Sequence, residues 1–180
     1  ITYVPKDEDR IWTKPADPTF YGGFNNDFTW KGFTLSVFFQ FQRGAVSLWN
    51  DKLVLASYEG DTNLLSDMYY KHWSQPGDMT WVPKPSYQSA YPGNPRQISE
   101  YSTLCYEKTD YIKLKNVSLS YDFPAKWLKG LYISNLQLYV SGYNLWTTTT
   151  YPGHDPEFTG GDLGTYPQSR SYTVGLKVDF

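Results

Sequence analysis

Between Phe33 and Gln42 the chain reads FTLSVFFQFQ, and its side-chain pattern repeats every two residues. Phe33, Leu35, Val37, Phe39 and Phe41 fall on one side, and Thr34, Ser36, Phe38, Gln40 and Gln42 on the other. Only an extended backbone sorts odd from even residues in this way, so the segment is a β-strand with one apolar and one mainly polar face. About ten residues is also the length with which a tilted strand crosses a bilayer. A lone strand of this kind exposes two unpaired backbone edges, so it requires neighbours.

Four further segments carry the same signature. Phe20, Gly22, Phe24, Asn26, Phe28 and Trp30 share a face, more weakly in the middle, and Lys31-Gly32 joins this segment to the next as a tight two-residue hairpin. In Lys113–Phe123, Val117, Leu119, Tyr121 and Phe123 alternate with Ser118, Ser120 and Asp122, while Ile112 and Leu114 sit in the opposite phase. A bulge near Asn116, or a strand that rises above the membrane there, explains the switch. Pro124 ends this strand because it has no N–H for the ladder. In the linker that follows, Trp127 and Leu128 suit a membrane interface. Leu138, Val140 and Gly142 oppose Gln137, Tyr139, Ser141 and Tyr143; in the last segment Tyr172, Val174, Leu176, Val178 and Phe180 oppose Thr173, Gly175, Lys177 and Asp179. Strands are expected over about residues 19–30, 33–43, 112–123, 135–146 and 170–180, in an all-β, antiparallel fold.

The connections alternate in length. Lys31-Gly32 and the 124–133 linker are short; residues 44–110 and 147–169 are long. Outer-membrane barrels have short periplasmic turns and long extracellular loops. If Phe180 lies at the periplasmic end, both long connections fall outside. Within the first, Asp61 to Trp73 predicts a helix capped by Asp61 or Thr62, with Leu65, Met68, Tyr69 and Trp73 on one face, stopped at Gln75-Pro76-Gly77.

Composition fits such an arrangement without requiring it. Aromatics make up 19% of the 180 residues, yet the mean hydropathy is −0.55, as when only alternate strand residues face lipid and the loops are polar. A soluble, aromatic-rich carbohydrate-binding β-sandwich combines the same features and is the alternative. A net charge of −2 argues against nucleic acid. The single thiol, Cys105, forms no internal disulfide. Five strands do not close a membrane barrel, whose smallest examples have about eight. The expectation is therefore either a barrel shared between copies or, preferred, the tail of a longer polypeptide, since Ile1–Arg10 lacks a signal-peptide pattern.

Six segments together resemble the C-terminal region of SusC/RagA-type TonB-dependent outer-membrane transporters: DPTFYGGF (17–24), WKGFTLSVFFQFQRG (30–44), LKNVSLSYDFP (114–124), LYVSGYNL (138–145), YPGHDPE (151–157) and YPQSRSYTVGLKVDF (166–180). The resemblance implies the last five strands of a 22-stranded barrel with a plug inside it, in the outer membrane of a Gram-negative bacterium. It implies import of oligosaccharides or peptides, a SusD-like surface lipoprotein over the barrel, and TonB acting on a segment outside this chain. It also implies that Tyr172, Val174, Leu176, Val178 and Phe180 form the signal read by the barrel-assembly machinery, besides facing outer-membrane lipid.

No catalytic constellation emerges, and neither an enzyme nor a cofactor is expected. Asp155, Glu157 and Asp162 offer carboxylates for glycoside hydrolysis or for Ca²⁺, but they sit on a glycine-rich loop and match no EF-hand spacing. His72, His154 and Cys105 are too few for zinc. The better candidates for contact with ligand or lid are the loop aromatics Trp81, Tyr87, Tyr91, Tyr151 and Tyr166, with Asp155 and Glu157 beside them. The alternative is that these rings pack among themselves.

Overall fold

A computed structural model of the chain describes residues 6–11, 15–55, 63–80, 82, 84, 103–158 and 165–180. The principal elements are β1 (Phe20–Trp30), β2 (Phe33–Arg43), β3 (Val46–Leu48), α1 (Asn50–Leu55), α2 (Ser66–Tyr70), β4 (Tyr106–Lys108), β5 (Tyr111–Asp122), α3 (Ala125–Leu128), β6 (Asn135–Thr149) and β7 (Ser171–Asp179). Five of the strands form one antiparallel sheet in the order β1-β2-β5-β6-β7. The chain divides into two compact units. The sheet with its short turns is one (residues 17–45, 109–151 and 167–180), and residues 1–16, 46–108 and 152–166 make up the other.

Every partner in the sheet is next to it in sequence or separated by a single long excursion, so no crossover is needed. At the β1–β2 turn Lys31 and Gly32 both take positive φ, 48° and 88°, as a two-residue type I′ hairpin requires. Gly32 also accepts the N–H of Asp122 at 2.8 Å, which ties this turn to the end of β5. At the opposite end Gly44, at φ 95°, turns the chain out of β2, and its N–H donates to Asp110 Oδ1 at 2.7 Å. Thr109 N–H donates to Ala45 O at 3.1 Å, closing the mouth of the long excursion.

The phase switch in β5 is a bulge. Phe38 and Phe39 of β2 oppose Asn116 and Leu114, leaving Lys115 as the extra residue. At the same level β6 passes Asn144 and Leu145 between Tyr143 and Trp146. Asn144 takes φ 54°, which a short amide side chain tolerates, and its Nδ2 donates to Ser169 O at 3.1 Å. The insertion returns Ile112 and Leu114 to the face that carries Val117, Leu119 and Tyr121.

The second unit is built from shorter pieces. β3 pairs antiparallel with β4, Trp49 N–H donates to Cys105 O at 2.8 Å, and Lys52 Nζ meets Glu107 Oε1 at 3.0 Å. Burial pushes the Cys105 thiol up from its ordinary pKa. The helix expected over 61–73 is confined to α2: Leu65 is extended at φ −59° and ψ 144° with no side-chain cap, and residues 61 and 62 lie outside the described residues. Met68 is buried as expected, but Tyr69 faces solvent and stacks edge-on against Tyr70. After the helix, the Asp78 carboxylate accepts N–H groups of Ser74 and Gln75, which holds its pKa below the ordinary 3.8.

Three glycines within the sheet, Gly22, Gly23 and Gly175, are covered by rings from the adjacent strand. A Cβ at Gly22 would meet Cζ of Phe41 at 2.9 Å, one at Gly23 would meet the Phe38 ring at 2.7 Å, and one at Gly175 would fall within the Tyr139 ring directly opposite. Gly175→Val should therefore destabilise by roughly 1–3 kcal/mol through overpacking. In a Tyr139→Ala background the same change should cost much less, as read from urea unfolding of the folded protein. Additive costs in the double variant would show that the ring does not occupy that space.

Candidate functional site

Direct cross-strand partners share a face, so the register fixes the two surfaces of the sheet. One surface collects Phe24, Phe28, Trp30, Phe33, Leu35, Val37, Phe39, Phe41, Ile112, Leu114, Val117, Leu119, Leu138, Val140, Val174 and Leu176, with Asn26 a polar exception opposite Val37. The other collects Asn25, Asp27, Thr34, Ser36, Gln40, Gln42, Lys113, Ser118, Ser120, Gln137, Ser141, Thr173 and Lys177, together with Phe38, Tyr111 and Tyr139.

The polar surface satisfies itself. Gln40 Nε2 donates to the Tyr111 hydroxyl at 2.9 Å, Gln137 Nε2 to Asp122 Oδ1 at 2.8 Å, and Asn25 Nδ2 to Asp27 Oδ2 at 3.0 Å. Lys113 is buried with its ammonium 5.2 Å from the Tyr111 ring centre. The apolar surface is uncovered. Phe24 is 57% exposed, Phe28 60%, Val174 71% and Leu176 61%. In a sandwich such residues are buried against a second sheet about 10 Å away. Withdrawing a side chain of this size from water is worth about 1.5–3 kcal/mol, so a face bearing more than a dozen of them demands an apolar cover.

Aromatic rings gather at both ends of that face. At the end from which the long connections leave, Phe20 stacks on Phe41 at 5.3 Å, and Trp146 is exposed. At the short-turn end Phe33 lies 4.5 Å from Tyr121, Tyr121 lies 4.9 Å from Phe123, and Phe123 lies 6.2 Å from Trp127, between exposed Trp30 and exposed Trp127. Of the expected interface pair only Trp127 faces outward; Leu128 is 4% exposed, a correction to its expected place at a membrane interface, because the short helix turns it inward. The strip through Phe33, Tyr121 and Phe123 depends on strand pairing, which no local signal encodes.

The loop candidates divide. Trp81, Tyr87 and Tyr91 lie outside the described residues, as does Asp162. Tyr166 is 91% exposed and available for contact. Tyr151 and Asp155 are each only 5% exposed, a correction to their expected place at a binding surface. Tyr151 closes β6, its N–H donating to Thr149 Oγ1 at 3.0 Å. Asp155 Oδ1 accepts Glu157 N–H at 3.0 Å and its carbonyl accepts Phe158 N–H at 3.3 Å, so this carboxylate holds a turn together and turns inward from solvent. His154 Nε2 lies 3.4 Å from Asp51 Oδ2, linking the two long connections within their unit. Tyr172, Val174, Leu176 and Val178 line the apolar face of β7, and Phe180 follows it, 91% exposed.

No protein-family model matches the chain. It is 36% identical to TonB-dependent receptor P3 of Formosa agariphila over 96% of its own length, and 29% identical to TonB-dependent receptor P39 of the same organism over 89%. It spans 17% and 16% of the length of these relatives. Among solved structures, it superposes on the RagAB peptide transporter with a TM-score of 0.79 at 25% identity, covering 98% of this chain and 19% of that one. On the RagAB peptide importer in its closed-closed state the TM-score is 0.77 at 28% identity, covering 97% and 19%. The chain belongs to the SusC/RagA type of TonB-dependent outer-membrane receptors.

Proposed function

We propose that this chain is a stretch of the wall of a large outer-membrane β-barrel that imports oligosaccharides or peptides, working with a SusD-like surface lipoprotein and driven by TonB. The observation that carries this reading is the uncovered apolar face, five strands wide and bounded by aromatic rings at both ends. Lipid hydrocarbon is the cover it fits, and the polar face then borders a watery lumen. The long connections leave from one end and are read as extracellular, where exposed Tyr166 is the retained candidate for contact with ligand or lid. Trp81, Tyr87, Tyr91 and Glu157 remain candidates on the sequence pattern alone. The solved relatives are described as peptide importers, which supports the peptide branch. The chain acts as scaffold and path, and Asp155 serves a turn in place of chemistry.

On the full-length protein, a folded barrel should migrate differently on a detergent gel before and after boiling. Val37→Arg, at the centre of the apolar face, should destabilise the barrel by about 2–4 kcal/mol, whereas Ser36→Arg should cost far less. Equal losses on the two faces, or no boiling-dependent shift, would reject the membrane orientation. Deleting Phe180 tests the proposed assembly signal: less folded barrel should reach the outer membrane, and unchanged yield would leave the last strand with a lipid-facing role alone.

A further inference from the structure

We infer that the short-turn rim is a binding site for net-anionic phospholipid headgroups, held by Lys31, Lys126 and Lys129 around the Trp30–Trp127 strip. The inference rests on the proposed membrane orientation and goes beyond it, because an aromatic rim alone selects no headgroup charge.

The rim is assembled by specific contacts. Lys31 sits in the β1–β2 turn with its ammonium 4.8 Å from the centre of the Trp30 ring. That turn is tied to the end of β5 by the hydrogen bond from Asp122 N–H to Gly32 O, which brings it beside the segment entering α3. There Trp127 N–H donates to Pro124 O at 2.9 Å, and the turn of helix buries Leu128 while Trp127 stays exposed. Leu131 N–H donates to Leu128 O at 3.1 Å, and Leu131 and Tyr132 are exposed beyond it. Leu128 thus pins the segment inward while its other large side chains project. Lys126 and Lys129, both exposed, bracket that projection.

Charge sorts across the sheet at this end. From Phe123 to Leu138 the sequence carries two lysines and no carboxylate, and Lys31 adds a third cation. The neighbouring acids belong to the polar face: Asp122 accepts from Gln137, and Asp179 accepts from Asn135 at 3.2 Å with Lys177 at 3.7 Å. Among the described residues no carboxylate pairs with Lys31, Lys126 or Lys129, which leaves these outward cations open to an anionic headgroup. Indole rings settle at headgroup depth, and lysine stems lie along apolar surface while the ammonium reaches the polar layer. Each lysine near an anionic lipid surface contributes roughly fivefold in lipid partitioning.

The test uses the full-length protein in bilayers of phosphatidylcholine containing spin-labelled phosphatidylglycerol or spin-labelled phosphatidylcholine, with the relative association constant read by electron paramagnetic resonance. Phosphatidylglycerol should be preferred, and the preference should fall severalfold in the Lys31→Gln/Lys126→Gln/Lys129→Gln variant while Lys→Arg replacements retain it. Raising salt should lower the preference of the unaltered protein, a reading that needs no variant to fold. A variant that keeps its boiling-dependent gel shift and its full lipid preference overturns the inference, as does a salt-independent preference. Loss of that gel shift in the unaltered protein would instead sink the membrane reading.

Discussion

Successive side chains on an extended strand point to opposite faces, and the protein keeps that two-residue beat in phase across five hydrogen-bonded strands. A slip of one residue anywhere would carry a row of phenylalanines and leucines into the polar face. In β5 the raw sequence commits such a slip, and the extra residue Lys115 cancels it, with Asn144 and Leu145 adjusting β6 alongside. The bulge therefore preserves the face, and Ile112, Leu114, Val117 and Leu119 end on one surface.

The same hydrogen bonding leaves the sheet with two edges. Within the sheet, β1 and β7 each pair on one side. In water a free edge is an aggregation hazard; in hydrocarbon its unpaired N–H and C=O groups each cost several kcal/mol. Under the proposed orientation both edges need partner strands, and a closed barrel supplies them. The chain's coverage of only 17% of a curated relative and 19% of a solved one is consistent with that arithmetic.

Legibility in the sequence followed periodicity. In Phe33–Arg43 and Ser171–Asp179 alternation alone assigns each side chain to a face, and Lys31-Gly32 encodes its own turn through a glycine at positive φ. What depends on long-range pairing was hidden. The three-residue strands Val46–Leu48 and Tyr106–Lys108 are too short to show a period, and each exists only because the other lies beside it. Tyr69 obeys a helical spacing that α2 is too short to use. Asp155 reads as a candidate carboxylate because its charge is visible in sequence, whereas the Glu157 N–H it accepts is a product of folding. The Asp-Pro pair at 155–156 was the available turn signal.

The most direct measurement of the central claim is solvent contact along β2 in the full-length protein. Nitroxide labels placed singly at positions 34 to 40 and read against membrane-soluble oxygen and a water-soluble nickel complex should give two period-two waves in opposite phase. Oxygen contact should peak at 35, 37 and 39, and nickel contact at 34, 36 and 40. Low contact with both reagents at 35, 37 and 39 would place those side chains in a dry protein interior and contradict the account.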